Sequence, residues 1–178
     1  LIDQLLEFRK IQNNVLTLDL EETDIIVFLK EIFISFQSIA EQKNIEYVFS
    51  SETDSYKMFI DCRKLDKIMY NLLSNAFKFT QKNGRVELVV AFDFKRQTCL
   101  ISVKDNGMGI PKEKQDILFK RFMQINFSSS GTGVGLSLVK EFVEVHKGKI
   151  WYESNQEKGS IFNVELSTSA DLYHGENF

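Results

Sequence analysis

The stretch DCRKLDKIMYNLLSNAFKFT, Asp61 to Thr80, carries two stripes at helical spacing. Leu65, Ile68, Met69, Leu72 and Ala76 recur every three or four residues and make one apolar face. Lys64, Lys67, Asn71, Asn75 and Lys78 recur at the same interval on another face. Asp61 precedes the first turn, where a carboxylate accepts hydrogen bonds from orphan N–H groups. The stretch therefore reads as a helix ending near Thr80. Asn is a poor helix former, because its amide competes for backbone hydrogen bonds. Two Asn residues four apart cost stability without structural return. One reading is a solvated face that tolerates them. The other is a pair of stacked amides facing a ligand. Amide oxygens suit a hard cation such as Mg²⁺. Lys78, one turn on, suits a phosphate as a point charge.

Upstream, Thr23 or Asp24 caps a helix expected to run to about Gln42. Before it, Val15 to Leu20 alternates apolar and polar and reads as a strand. Leu1 to about Gln12 has an apolar helical stripe, ended by Asn13-Asn14. Short strands are expected over Ile45 to Phe49 and Lys57 to Ile60. Downstream, the Asn83-Gly84 turn leads into strands Arg85 to Phe94 and Gln97 to Lys104. The region from Asp105 to about Val134 is dotted with glycine and irregular. A helix follows from Leu136 to His146, stopped by Gly148. Strands Lys149 to Glu153 and Ser160 to Leu166 close the fold through a turn at Lys158-Gly159. Strands clustered as hairpins beside long helices give an α+β fold, a two-layer sandwich. One mixed, mostly antiparallel sheet is expected, with helices on one face.

At 178 residues the chain matches one domain and can bury a sizeable core. Apolar residues at 43% and charged residues at 26% exclude a disordered chain. A net charge of −3 argues against a duplex nucleic-acid partner, which needs a basic face. Cys62 and Cys99 have no metal-ligand spacing and read as small buried hydrophobes in a reducing compartment. The most apolar stretch, Ile25 to Ala40, is interrupted by Lys30, Glu31 and Gln37 and is too polar to span a bilayer. The chain begins at Leu1, which suggests a piece of a longer protein.

Two glycine clusters carry further chemistry. Asp105-Asn106-Gly107-Met108-Gly109-Ile110 sits at a strand end. Read blandly it is an Asp-Asn-Gly turn. Read functionally, Gly107 and Gly109 admit a ligand close to the backbone, and Asp105 is a fixed acceptor for an exocyclic amine. Gly131-Thr132-Gly133-Val134-Gly135-Leu136 opens directly into a helix. Glycines at a helix N-terminus expose N–H groups to an anion. No Gly-Lys-Ser/Thr follows, so this is not a Walker A loop. Between the clusters, Phe119, Phe122, Phe127 and Ser128-Ser129-Ser130 read as an ordinary loop or as a lid with aromatic anchors. Arg121 is a phosphate contact or a solvated side chain.

In order, these motifs resemble the catalytic, ATP-binding domain of bacterial sensor histidine kinases, in the GHKL (Bergerat-fold) superfamily. The N box is similar to Asn71–Thr80. The first glycine box is similar to Asp105–Pro111, the F box to Phe119–Phe122, and the second glycine box to Gly131–Leu136. His146-Lys147-Gly148, Ser154 and Gly159-Ser160-Ile161-Phe162 resemble the family's closing hairpin. The resemblance covers about residues 14 to 166.

The resemblance implies ATP and Mg²⁺ as cofactors. Asn75 would hold the metal, with Asn71 and Lys78 near the phosphates and Phe79 beside them. Asp105 would accept the adenine amino group, with Gly107, Gly109 and Ile110 shaping the pocket. Phe122, Thr132, Gly133, Val134, Gly135 and Leu136 would complete the nucleotide site. Asn71, Lys78 and Arg121 would serve catalysis. Hydrolysing relatives place a Glu general base where Asn71 stands, and an amide cannot take that proton. The resemblance therefore favours a kinase over an ATPase. A slow ATPase, a serine kinase of similar fold and a nucleotide-binding scaffold are the other readings.

A histidine kinase also needs an acceptor histidine on an upstream helix. The chain has two histidines. His146 ends a helix and reads as a structural contact in the closing hairpin. His174 lies near the chain end. The expected organisation is a dimerisation-helix remnant over 1–13, the catalytic domain over 14–166 and a tail over 167–178. The implied partners are the protein's own dimerisation domain and a response-regulator receiver, fused or separate. The parent protein would be a homodimer in the inner membrane, with this domain in the cytoplasm. The piece alone is expected to be monomeric and to bind ATP without an acceptor of its own.

Overall fold

The computed structural model describes residues 17–120, 133–155 and 158–169. The helix expected over Leu1–Gln12, and the tail beyond residue 169, lie outside them. In chain order the elements are β1 (Glu21–Asp24), α1 (Ile25–Ser35), α2 (Gln37–Lys43), β2 (Glu46–Ser51), β3 (Lys57–Ile60) and α3 (Cys62–Phe79). Then come β4 (Arg85–Asp93), β5 (Thr98–Asp105), α4 (Lys112–Gln115), α5 (Gly135–Val145), β6 (Lys149–Ser154) and β7 (Ser160–Ser167).

Five strands form one sheet in the order β2-β4-β5-β7-β6, and β1 pairs with β3 in a separate two-stranded ribbon. Only β2 and β4 run parallel in the large sheet; β4–β5, β5–β7 and β6–β7 are antiparallel. The single sheet expected from the sequence is thus a five-stranded sheet plus a ribbon. Alternate residues point to the helices, as the period of a strand requires. Val86, Leu88 and Val90, Cys99, Ile101 and Val103, and Phe162, Val164 and Leu166 are all buried. They share one core with α1, α3 and α5. Among the described residues no helix is long and apolar enough to cross a membrane.

α3 follows its sequence pattern closely. The Asp61 carboxylate accepts from the Lys64 backbone N–H at 3.0 Å and caps the helix. Leu65, Ile68, Met69, Leu72, Leu73, Ala76 and Phe77 are buried, two more than the apolar stripe predicts. The exposed face is Arg63, Asp66 and Tyr70, so the Lys–Asn stripe is not the solvated one. Lys64, Lys67, Asn71 and Asn75 are half-buried instead. At the other end, Lys43 Nζ donates to Phe77 O at 2.6 Å and satisfies one of the last carbonyls.

Two expectations change. The helix from Asp24 is split at Phe36, which is 2% exposed. No Gly or Pro marks the break. The Phe36 ring stacks on Phe77 at 5.7 Å and meets Tyr70 at 5.4 Å, and burying it turns the chain. The strand expected over Val15–Leu20 is not formed over the described residues Thr17–Leu20. Leu18 and Leu20 are buried and Thr17 and Asp19 exposed, so the alternation is real. However, the Asp19 N–H goes to the Asp61 carboxylate at 3.0 Å, not to a neighbouring strand. Leu18 and Leu20 form a small second cluster with Val145.

Candidate functional site

α3 and α5 lie antiparallel over the sheet. The end of α5 meets the start of α3, because Asp61 N–H donates to His146 Nε2 at 3.2 Å. The start of α5 meets the middle of α3. A Cβ on Gly135 would stand 2.5 Å from Asn71 Oδ1, so any side chain there would displace the Asn71 amide. α3 has 18 residues and α5 has 11. The last two turns of α3, with Asn75 and Lys78, therefore project past the start of α5. They lie beyond the place where the start of α5 meets α3 at Asn71.

A helix start at this junction suits an anion. The α5 N-cap, Val134, makes no side-chain cap bond, and the first turn holds no acidic residue. N–H groups at a helix start are the usual partners of a bound anion. Gly133 just before it has φ +67. Facing it, the Asn71 amide donates to Lys67 O at 2.7 Å, which turns Oδ1 toward Gly135. The Asn75 side chain makes no hydrogen bond to a described residue. Lys78 is exposed, with Nζ 5.3 Å from the centroid of the half-buried Phe79 ring. Among the described residues no three His, Cys, Asp or Glu side chains group to hold a metal ion. The donor set fits Mg²⁺ only in the manner of a phosphate-bound ion, which needs one or two protein oxygens and takes the rest from phosphates and water.

The sheet end supplies the second half of the site. Asp105 closes β5 and is 5% exposed. Burial pushes its carboxyl above the ordinary value, while hydrogen bonds from Gly107 and Ser160 pull the other way. Gly107 N–H donates to Oδ1 at 2.8 Å. The missing Gly107 side chain makes room for Phe79 O, 2.5 Å from where a Cβ would be. That contact seats the end of α3 on the Asp105 turn. Gly109, at φ +70, lies against Gly159 of the closing turn. Ile110 and Leu136 are half-buried against the core, and Val134 is buried. A cavity of about 390 Å³ lies beside this turn, between Met108–Pro111 and Tyr152–Asn155 with Lys158. No residue of α3 or α5 lines it.

The structure thus brings Asn71, Gly133, Val134, Gly135 and Leu136 together. It seats Phe79 on Gly107, and Asp105 beside Gly107 and the closing turn. Phe119 packs edge-on against Phe162 at 6.5 Å. Arg121, Phe122, Phe127, Ser128-Ser129-Ser130, Gly131 and Thr132 lie outside the described residues. Sequence reasoning passed over three residues. Ser160 bonds the Asp105 side chain, and Asn155 Nδ2 donates to Asp105 O at 3.1 Å. Their signal was only a position in the closing hairpin. Asp61 was read as a cap alone. His146 was expected in the closing hairpin; its ring bonds Asp61 N–H and Phe142 O.

The family model for histidine kinase-, DNA gyrase B- and HSP90-like ATPases matches residues 60–170. Histidine kinase P4 of Formosa agariphila is 37% identical over 173 residues, covering 93% of this chain and 12% of that protein. Sensor histidine kinase TmoS of Ectopseudomonas mendocina is 35% identical over 174 residues, covering 95% of this chain and 18% of that protein. The chain spans less than a fifth of the length of either. Among solved structures, a nucleotide-free form of the catalytic domain of histidine kinase ThkA superposes with a TM-score of 0.76. It is 26% identical and covers 85% of this chain and 99% of that one.

Proposed function

We propose, for a chain that belongs to the family of histidine kinase-, DNA gyrase B- and HSP90-like ATPases, that it is the ATP-binding catalytic domain of a two-component sensor histidine kinase. The observation that carries the reading is the close seat of Gly135, at the start of α5, on the Asn71 side chain, with buried Asp105 at the sheet end of α3. The α5 N–H groups and Lys78 hold the phosphates, and Asp105 accepts a hydrogen bond from the adenine amino group. Gly107, Gly109, Ile110 and Phe79 shape the base pocket. Asn75 would hold Mg²⁺ through its amide oxygen, and the ion would supply positive charge beside the phosphates. Transfer breaks the bond between the γ-phosphorus and the oxygen bridging to ADP. A P–N bond forms to the acceptor imidazole, which gives up its N–H proton.

Asn71 decides against hydrolysis. Its amide is spent on Lys67 O and cannot accept a proton from water at neutral pH. The acceptor histidine belongs to the dimerisation domain, and a receiver domain takes the phosphoryl group onward. The parent protein is a homodimer at the inner membrane, with this domain on the cytoplasmic side. Calorimetric titration with a non-hydrolysable ATP analogue, with and without Mg²⁺, tests binding. Mg²⁺-dependent heat supports the site, and silence in both conditions refutes it. Mixing the domain with a helical hairpin that carries an acceptor histidine tests transfer; ATP consumption without phosphohistidine would move the reading to an ATPase.

A further inference from the structure

We infer that Gln115 is a positioning residue for the base side of the nucleotide site, where its side-chain amide holds Ile110. The inference rests on the reading of Asp105–Ile110 as the wall that meets adenine. The two ends of that loop are tied down in different ways. At the first end the sheet does it. Asp105 pairs with Val86 of β4 and with Ser160 of β7. Asn106 N–H donates to Arg85 O at 3.1 Å, and Asn106 Oδ1 takes the Arg85 N–H at 2.7 Å. Ile110 lies outside every strand. There, Gln115 Nε2 donates to Ile110 O at 2.9 Å. A carbonyl only accepts, so the amide nitrogen and not its oxygen must face Ile110. The second hydrogen on Nε2 serves Ser154 Oγ at the end of β6, 3.4 Å away.

Gln115 itself has a firm seat. Leu118 N–H donates to Gln115 O at 3.3 Å, Leu118 is buried, and the Phe119 ring packs edge-on against Phe162 of β7. The amide is therefore carried by a segment fixed to the closing hairpin. The residue before Ile110 meets the same hairpin: Gly109, at φ +70, lies against Gly159. Behind the loop, between Met108–Pro111 and Tyr152–Asn155, lies the cavity of about 390 Å³. The Ile110 backbone thus has room to shift toward the hairpin once the bond to Gln115 is gone. Its side chain, half-buried against the core, would move with it. The wall offered to the base changes shape while the sheet end, with Asp105, stays where it is.

Two substitutions separate this role from a local one in α4. Gln115→Met keeps the length of the side chain and loses the donor. Gln115→Lys keeps a donor of similar reach. Affinities for adenine and guanine triphosphate analogues are measured by calorimetry with Mg²⁺, the weaker by displacement, and amide exchange at Gly107–Ile110 is followed without nucleotide. The Met variant is expected to bind the adenine analogue about fivefold more weakly, the scale of one neutral hydrogen bond, with faster exchange at Gly109 and Ile110. Guanine has an oxygen where adenine has its amino group, so it is seated less closely by Asp105, and its analogue is expected to change by less than about twofold. The Lys variant is expected to stay within about twofold of the parent for both. A Met variant that lowers both affinities alike, or that melts earlier with both unchanged, overturns the inference, as does a Lys variant that behaves like Met. If the unmutated chain binds neither analogue, the nucleotide reading has failed. Exchange then decides alone whether Gln115 sets the loop, and unchanged exchange in the Met variant overturns that too. If the Met variant does not fold, the Gln115 side-chain amide of the unmutated chain carries the test by nuclear magnetic resonance. Its signals are expected to shift as the adenine analogue saturates the site, and unmoved signals overturn the inference.

Discussion

The two ends of the α3–α5 pair are built on opposite rules. At the Asp61–His146 end polar groups are paired: a cap, a carboxylate bond to Asp19 and a buried imidazole with both nitrogens engaged. At the Asn71–Gly135 end the α5 N-cap makes no side-chain cap bond, and the Asn75 amide has no bond to a described residue. The first end resembles a finished core. The second resembles a core with one component missing, and a phosphate with its metal is of the right chemistry to complete it. Stability and binding should therefore separate along one helix pair.

The sharpest way to break that contrast is to fill the open end. Gly135→Val puts branched carbon where Asn71 Oδ1 already stands 2.5 Å away. Binding of an ATP analogue should fall by more than about a hundredfold, because overpacking pushes the helix start off its seat. Cooperative urea unfolding should persist. If unfolding collapses as well, the open end is also structural and the contrast fails. Asp61→Ala attacks the closed end. It should cost about 2–3 kcal/mol in urea unfolding, from a lost cap and a half-buried Lys64 left without its partner.

Asp105→Asn probes the base side. ATP-analogue affinity should drop about tenfold, while guanine and adenine analogues converge, because an amide can donate where the carboxylate only accepts. Unchanged preference would remove Asp105 from base reading. Mild acid gives the smallest effect. Burial holds the His146 imidazole below its ordinary value, only partly offset by its bond to Phe142 O and the Asp61 charge. The unfolded chain therefore binds the proton first. Stability from this joint is complete above the free-histidine value of about 6.5 and falls as pH drops below it. Asp61, held low by the Asp19 and Lys64 hydrogen bonds despite its burial, gives way only under stronger acid. Asp105, raised by burial, has the opposite sign at its own lower window. The shallow decline just below pH ~6.5 should vanish in His146→Gln, and urea midpoints across that range would show it.

Local chemistry was legible in the sequence and distant pairing was not. α3 could be read whole, because Asp61 announces its start and the apolar period runs to Ala76. The hairpins were legible from turns such as Asn83-Gly84, where Asn83 takes φ +64. Asp105, Gly133 and Gly135 stood out because glycine beside a carboxylate or a helix start has few structural uses. The break at Phe36 was invisible, since it depends on rings at Tyr70 and Phe77 and on no local breaker. The β1–β3 ribbon was hidden for the same reason: its register joins Glu21 to Ile60 across the whole of α1, α2 and β2. The bond from Asp61 to His146 spans 85 positions, and neither residue carries a pattern that names the other.

α5, at 1.5 Å per residue, is about 16 Å long, so a tilt of about 5° about the Asp61–His146 contact would carry its opposite tip through about 1.4 Å. That travel is half a hydrogen-bond length. What stands against it is the row Leu138, Val139, Phe142 and Val143, sunk in the core along the whole helix like the keel of a boat.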